Sequence, residues 1–101
     1  MAKPVDYHIG ARLDFDESFD WYHKRSVGTA IGFASAVDEA IDQIVADPGR
    51  FPVAYGRCRF CALQRYPFRV VFREEPDRLV VVAIAHAKRS PRYWHGRIAF
   101  D

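Results

Sequence analysis

The side chains best equipped for chemistry crowd into one stretch: Ala85-His86-Ala87-Lys88-Arg89-Ser90-Pro91-Arg92-Tyr93-Trp94-His95-Gly96-Arg97. An apolar run passes directly into a knot of His, Lys and Arg with two aromatic residues. Pro91 ends extended pairing, so a loop or a short helix must follow. Arg69 belongs to the preceding apolar segment. Antiparallel pairing of the two segments brings the end near His86 level with the start of the other, so Arg69 and Arg89 converge at one rim of a sheet. Paired guanidiniums with aromatic planes suit RNA or DNA, because arginine forks hold phosphate while rings stack on bases. The competing reading is that Tyr93 and Trp94 fold back into the core and the arginines are only solvated. The set expected to face a target is Arg65, Arg69, Lys88, Arg89, Arg92, Tyr93, Trp94 and Arg97.

Other chemistries find little support. Cys58 and Cys61 form a C-x-x-C, but there is no second pair for zinc and no βαβ setting for a redox motif. On an extended strand the two thiols would face opposite sides, with Cα atoms roughly 10 Å apart, too far to bridge. His8, His23, His86 and His95 show no ligand spacing, and the six glycines never form a phosphate-binding loop. Ser90 lacks a G-x-S-x-G setting. Neither a metal nor another cofactor is expected.

Charge is unevenly spread. Residues 1–50 hold five Lys/Arg against nine Asp/Glu, whereas residues 51–101 hold ten against four, nine of the ten being Arg. Such an arginine-rich half fits an anionic partner, either nucleic acid or an acidic protein, unless the two halves neutralise each other internally. The chain's 101 residues suit one domain, 1–101, and its 15% aromatic content lets so small a domain bury enough surface. No apolar run is long enough to span a membrane, and no basic-then-apolar leader opens the sequence. A cytoplasmic protein is expected.

The elements that must position these residues follow from periodicity and punctuation. Val5 to Ile9, held between Pro4 and Gly10, is at best an edge strand. Asp14, three residues before Glu17, reads as a capping box opening a helix, with Phe15, Phe19 and Tyr22 on one face. After a turn at Ser26–Thr29, a second helix carries Ala30, Phe33, Ala34, Val37, Ile41, Ile44 and Val45 at helical spacing and stops at Asp47-Pro48-Gly49. Strands follow at 59–65, 68–73 and 79–85, the last continuously apolar and so central. The fold class is α+β: an antiparallel helical hairpin on one face of a small twisted, mainly antiparallel sheet.

This order of features resembles the RelE/ParE superfamily, the toxins of type II toxin–antitoxin systems also called plasmid stabilisation proteins. The matching segments are FDESFDWYHKRS, IDQIVADPGRFP, LQRYPFRVVFRE and VVVAIAHAKRSPRYWHGR. Together they span Ile9 to Arg97. The last is the most specific, a hydrophobic strand followed by His, a basic pair, Pro, Tyr-Trp and Arg.

The resemblance implies a growth-inhibiting toxin neutralised by a cognate antitoxin. RelE-like members cleave mRNA on the ribosome, and ParE-like members poison DNA gyrase. Arg69 and Arg89 match two arginines of the RelE-like nucleases, and Tyr93 lies close to the place of their C-terminal tyrosine, although the spacing before it is shorter here. Their strand lysines are missing: residues 57–65 contain Arg but no Lys. Arginine stays protonated and is a poor base, so Tyr93 or His86 would have to accept the proton from the attacking 2′-hydroxyl. The loss favours the ParE-like, gyrase-directed branch, with ribosome-dependent mRNA cleavage by Arg69, Arg89, Tyr93 and His86 as the alternative.

Overall fold

A computed structural model of the chain describes residues 3–98. The helix α2, Val27–Ala46, follows most directly from its residues. Ala30, Phe33, Val37, Ala40, Ile41 and Ile44 fall on one stripe and are all buried. The Ser26 hydroxyl oxygen accepts from the Thr29 N–H at 3.2 Å and caps the first turn. Asp47 closes the helix, and Pro48–Arg50 turn away as a short 3-10 segment.

The helix α1, Ile9–His23, runs back against α2 across the link Lys24–Ser26. Its start corrects the sequence reading. Asp14 does not open the helix; it sits inside it, and the cap is His8, whose Nδ1 accepts from the Gly10 N–H at 2.9 Å. Asp14 is instead turned inward and buried. Phe15, Phe19 and Tyr22 do face the core, with Phe15 and Tyr22 at 5.5 and 5.3 Å from the fully buried Phe33 ring. Such offset and tilted pairs each add about 0.5–1.5 kcal/mol beyond their buried area.

The sheet has five strands in the order β1-β5-β4-β3-β2. These are β1 (Val5–Tyr7), β2 (Val53–Tyr55), β3 (Cys58–Ala62), β4 (Phe68–Glu74) and β5 (Leu79–His86). The meander β3-β4-β5 is antiparallel, while β1 lies on the edge and pairs parallel to β5. The strand β3 ends three residues earlier than its sequence suggested, because Arg65 takes a left-handed turn conformation with φ of 69°. The three-residue β2 was not foreseen; all its residues are exposed, so no buried face marked it.

Seven of the eight residues of β5 are buried, as its continuous apolar run requires. Its pairing with β4 is interrupted once. Val71 pairs with Ala83 and Phe72 with Val81, so Val82 is an extra, unpaired residue, a β-bulge. The two sheet faces build separate cores. Phe33, Ile41, Leu63, Phe68 and Phe72 belong to the one beneath the helical hairpin. Cys58, Val71, Val82, Ala83 and Ala85 form the other with Trp94. Trp94 comes from α3, Arg92–His95, which with Gly96–Ile98 makes a short C-terminal arm over the helix-free face. Cys58 and Cys61 fall in opposite cores and are not joined by a disulfide.

Candidate functional site

Beside that arm, on the helix-free face of the sheet, lies a cleft of about 200 Å³. Phe60, Arg69, His86, Arg89, Pro91 and Trp94 are among its walls. Strand alternation explains why Arg69 is there: it is the exposed residue between buried Phe68 and Val70, and its Cα pairs with Ala85 of β5. Its guanidinium lies over the Phe60 ring, 4.5 Å from the centroid. Arg89 is placed by the turn that ends β5, where its N–H donates to the His86 carbonyl oxygen at 3.0 Å. Its guanidinium lies over the Tyr93 ring at 3.6 Å. The convergence of Arg69 and Arg89 at one rim is therefore present. Among the described residues neither has an ion-pair partner.

The remaining candidates divide. Lys88 and Arg92 are exposed near the cleft, and Arg65 is exposed in the turn between β3 and β4. Trp94 and Arg97 are mostly buried, not open to solvent as the sequence suggested. Trp94 is only 2% exposed because it is the largest apolar side chain available to cover the second core. Arg97 is turned inward, where one nitrogen donates to Asp14 Oδ2 at 2.8 Å and to the Val82 carbonyl oxygen at 3.0 Å. A second nitrogen donates to Asp14 Oδ1 at 3.1 Å.

Asp14 and Arg97 together complete the β5 edge. The edge strand β1 stops at Tyr7, and the His8 N–H makes the next bond to the Val81 carbonyl at 2.9 Å. Past that point β5 has no strand partner on this side. Asp14 Oδ2 accepts from the Ile84 N–H at 3.1 Å while Arg97 donates to Val82, so two side chains satisfy backbone groups exposed at the bulge. Burial pulls the Arg97 guanidinium down, but the hydrogen bond and charge of Asp14 overcome that and leave it above its ordinary range. Gly10 makes room: a Cβ there would collide with Cζ and Nε of Arg97.

Tyr93 is half-buried between the two arginines. Its hydroxyl donates to Asp14 Oδ2 at 3.3 Å. Burial, followed by the negative charge of Asp14, pushes its phenol up to about 12, against the opposing pull of Arg97 and Arg89. It stays protonated at neutral pH and is no proton acceptor there. His86 Nδ1 accepts from the Lys88 N–H at 3.1 Å, and its ring meets Phe68 edge-on at 5.0 Å. The arrangement can grip an anionic group between two guanidiniums held on aromatic platforms. Among the described residues no group of three or more His, Cys, Asp or Glu could hold a metal ion.

Sequence reasoning missed Asp14, Gly10 and Phe60. Gly10 and Asp14 stand four apart on one helix face, and nothing local names Arg97 as the side chain that meets them there.

The likeness to known proteins agrees with this fold. A solved structure described as a chromosomal ParDE toxin–antitoxin system from P. aeruginosa superposes with a TM-score of 0.73. It is 18% identical, and the match covers 86% of this chain and 98% of that one. No curated protein is similar in sequence. Among the described residues no helix is long and apolar enough to cross a membrane. Residues 5–91 match the model of the ParE toxin of type II toxin–antitoxin systems, and the chain belongs to that ParE toxin family.

Proposed function

We propose that the protein inhibits growth by poisoning DNA gyrase and that a cognate antitoxin neutralises it. The contact surface in this reading is the cleft between Arg69 and Arg89, extended by the exposed Lys88 and Arg92. One observation carries it: two guanidiniums with no carboxylate partner among the described residues share a cleft, each resting on an aromatic ring. RNA cleavage by 2′-hydroxyl attack needs a proton acceptor and a proton donor around the phosphorane. Arginine and a neutral phenol offer charge stabilisation and donation but no acceptor, and the ring nitrogen Nδ1 of His86, the other candidate acceptor, is already taken by the Lys88 N–H. Anionic groups of a gyrase–DNA complex, or acidic residues of an antitoxin, would be drawn to the same rim, so neutralisation and target binding would compete. Both targets imply action in the cytoplasm.

The test is purified protein added to gyrase supercoiling and DNA-cleavage assays beside a ribosome-programmed mRNA cleavage assay. The expected outcome is loss of supercoiling with accumulation of cleaved DNA, abolished by Arg69→Ala with Arg89→Ala. Unaffected gyrase together with new mRNA ends would overturn this reading in favour of a ribosome-dependent endoribonuclease.

A further inference from the structure

We propose that Asp14 and Arg97 are positioning residues for the arginine cleft: their buried ion pair fastens the C-terminal arm to the β5 bulge and so fixes the Tyr93 ring on which Arg89 lies. The inference rests on the reading that the cleft is the contact surface.

The arm cannot hold itself in place. A four-residue helix lies far below the length at which helices are stable alone, and Pro91 at its N-cap makes no side-chain capping bond. Its position must come from tertiary contacts. Trp94 supplies the main apolar one, in the second core beside Tyr93 and Ile98, and His95 stacks on Tyr55 at 3.8 Å. Arg97 supplies the polar one, and it is unusually complete. The Asp14 carboxylate accepts from Arg97, from the Tyr93 hydroxyl and from the Ile84 backbone. One carboxylate therefore ties together α1, the bulged strand and two points of the arm.

The same geometry leads outward to the cleft. Arg97 sits 5.0 Å and Arg89 3.6 Å from the Tyr93 ring centroid. Asp14 holds the phenol end of that ring, and the ring carries the Arg89 guanidinium. A shift at Asp14 thus passes to Arg89 through two direct contacts. Residues that only stabilised the fold would not need this second connection.

Gly10→Ala separates positioning from folding. The added Cβ would strike the guanidinium of Arg97 without altering any charge. Alanine also favours a helix over glycine, so α1 itself gains. The experiment uses the full chain carrying Trp21→Phe, which leaves Trp94 as the sole tryptophan, a reporter on the arm itself. Gly10→Ala is expected to red-shift Trp94 emission and raise its acrylamide quenching while far-ultraviolet circular dichroism is retained. The concentration needed for half-inhibition of gyrase should rise by about tenfold, within the usual range for coupled sites. Arg97→Ala should do the same, Arg97→Lys should recover part of the loss, and adding Gly10→Ala to Arg97→Ala should cost nothing more.

Displaced Trp94 with unchanged gyrase inhibition would overturn the positioning role, as would additive losses in the double variant. Arg89→Ala serves as the control for the cleft. If it leaves gyrase inhibition intact, the contact surface is wrong and so is a positioning role toward it. If it abolishes inhibition while Gly10→Ala and Arg97→Ala do not, the surface stands and the positioning role fails.

Discussion

Arg97 and Arg89 lie against the same tyrosine ring, yet among the described residues only Arg97 meets a carboxylate. Around Arg97 the arginines of the second half of the chain are paired: Arg97 with Asp14 at 2.8 Å, Arg73 with Glu75 at 2.6 Å and Arg78 with Asp6 at 2.9 Å. Around the cleft, Arg69 and Arg89 rest on Phe60 and Tyr93 and, among the described residues, on no carboxylate. The basic half of the chain thus contains two kinds of arginine. One kind is consumed by folding, partly by acids of the N-terminal half. The other stays exposed with no carboxylate partner among the described residues. A count of arginines describes neither; the distribution of carboxylates does.

The comparison breaks most severely at its paired end. Asp14→Ala would leave Arg97 buried without a counter-charge and the Ile84 N–H without an acceptor. Side chains only 6% and 16% exposed make this a buried pair, and losing one partner of such a pair costs about 3–5 kcal/mol. Urea denaturation should show that loss; a midpoint within error of the parent would mean that water replaces the carboxylate easily. At the unpaired end the balance reverses. Arg69→Ala or Arg89→Ala should change stability by no more than about 0.5 kcal/mol, as for surface substitutions. Growth inhibition on induced expression should nevertheless be lost, read as colony counts. Equal stability costs at the two ends would erase the distinction.

Tyr93, which touches both ends, gives a pH-dependent prediction. Its folded-state value of about 12 lies above the roughly 10 of an unfolded tyrosine. A raised value favours the protonated, folded form, so its contribution is complete below pH of about 10 and disappears as pH rises toward 12. Burial also raises Tyr7 and Tyr22, which act in the same direction. Tyr93→Phe should therefore reduce the fall in urea midpoint across that window without abolishing it. An identical alkaline limb in parent and variant would contradict the burial of its phenol. The smallest effect belongs to the exposed Arg78–Asp6 pair. Arg78→Ala should cost between about 0 and 1 kcal/mol and leave growth inhibition unchanged, since solvent screens such pairs.

Much of the scaffold was legible because its signals are local. Apolar spacing in 30–45 and the Asp47-Pro48-Gly49 stop defined α2, and the apolar run 79–85 marked an interior strand. The convergence of Arg69 and Arg89 followed from strand register alone. Asp14 misled because Asp14-x-x-Glu17 imitates a capping box, while the histidine that does cap α1 is an uncommon choice. Trp94 and Arg97 looked available because an amphipathic arm of four residues has no periodicity to show which way it faces.

Sequence by itself determined the helical hairpin, the meander and the placing of two arginines at one rim, since each depends on spacing within a few residues or on the pairing of neighbouring strands. Only the tertiary structure decided which charges remain for a partner. That choice depends on an aspartate and an arginine 83 positions apart meeting at a bulge, and on a glycine that leaves them room. Contacts at such separation are set by how the chain closes on itself, which no local pattern records.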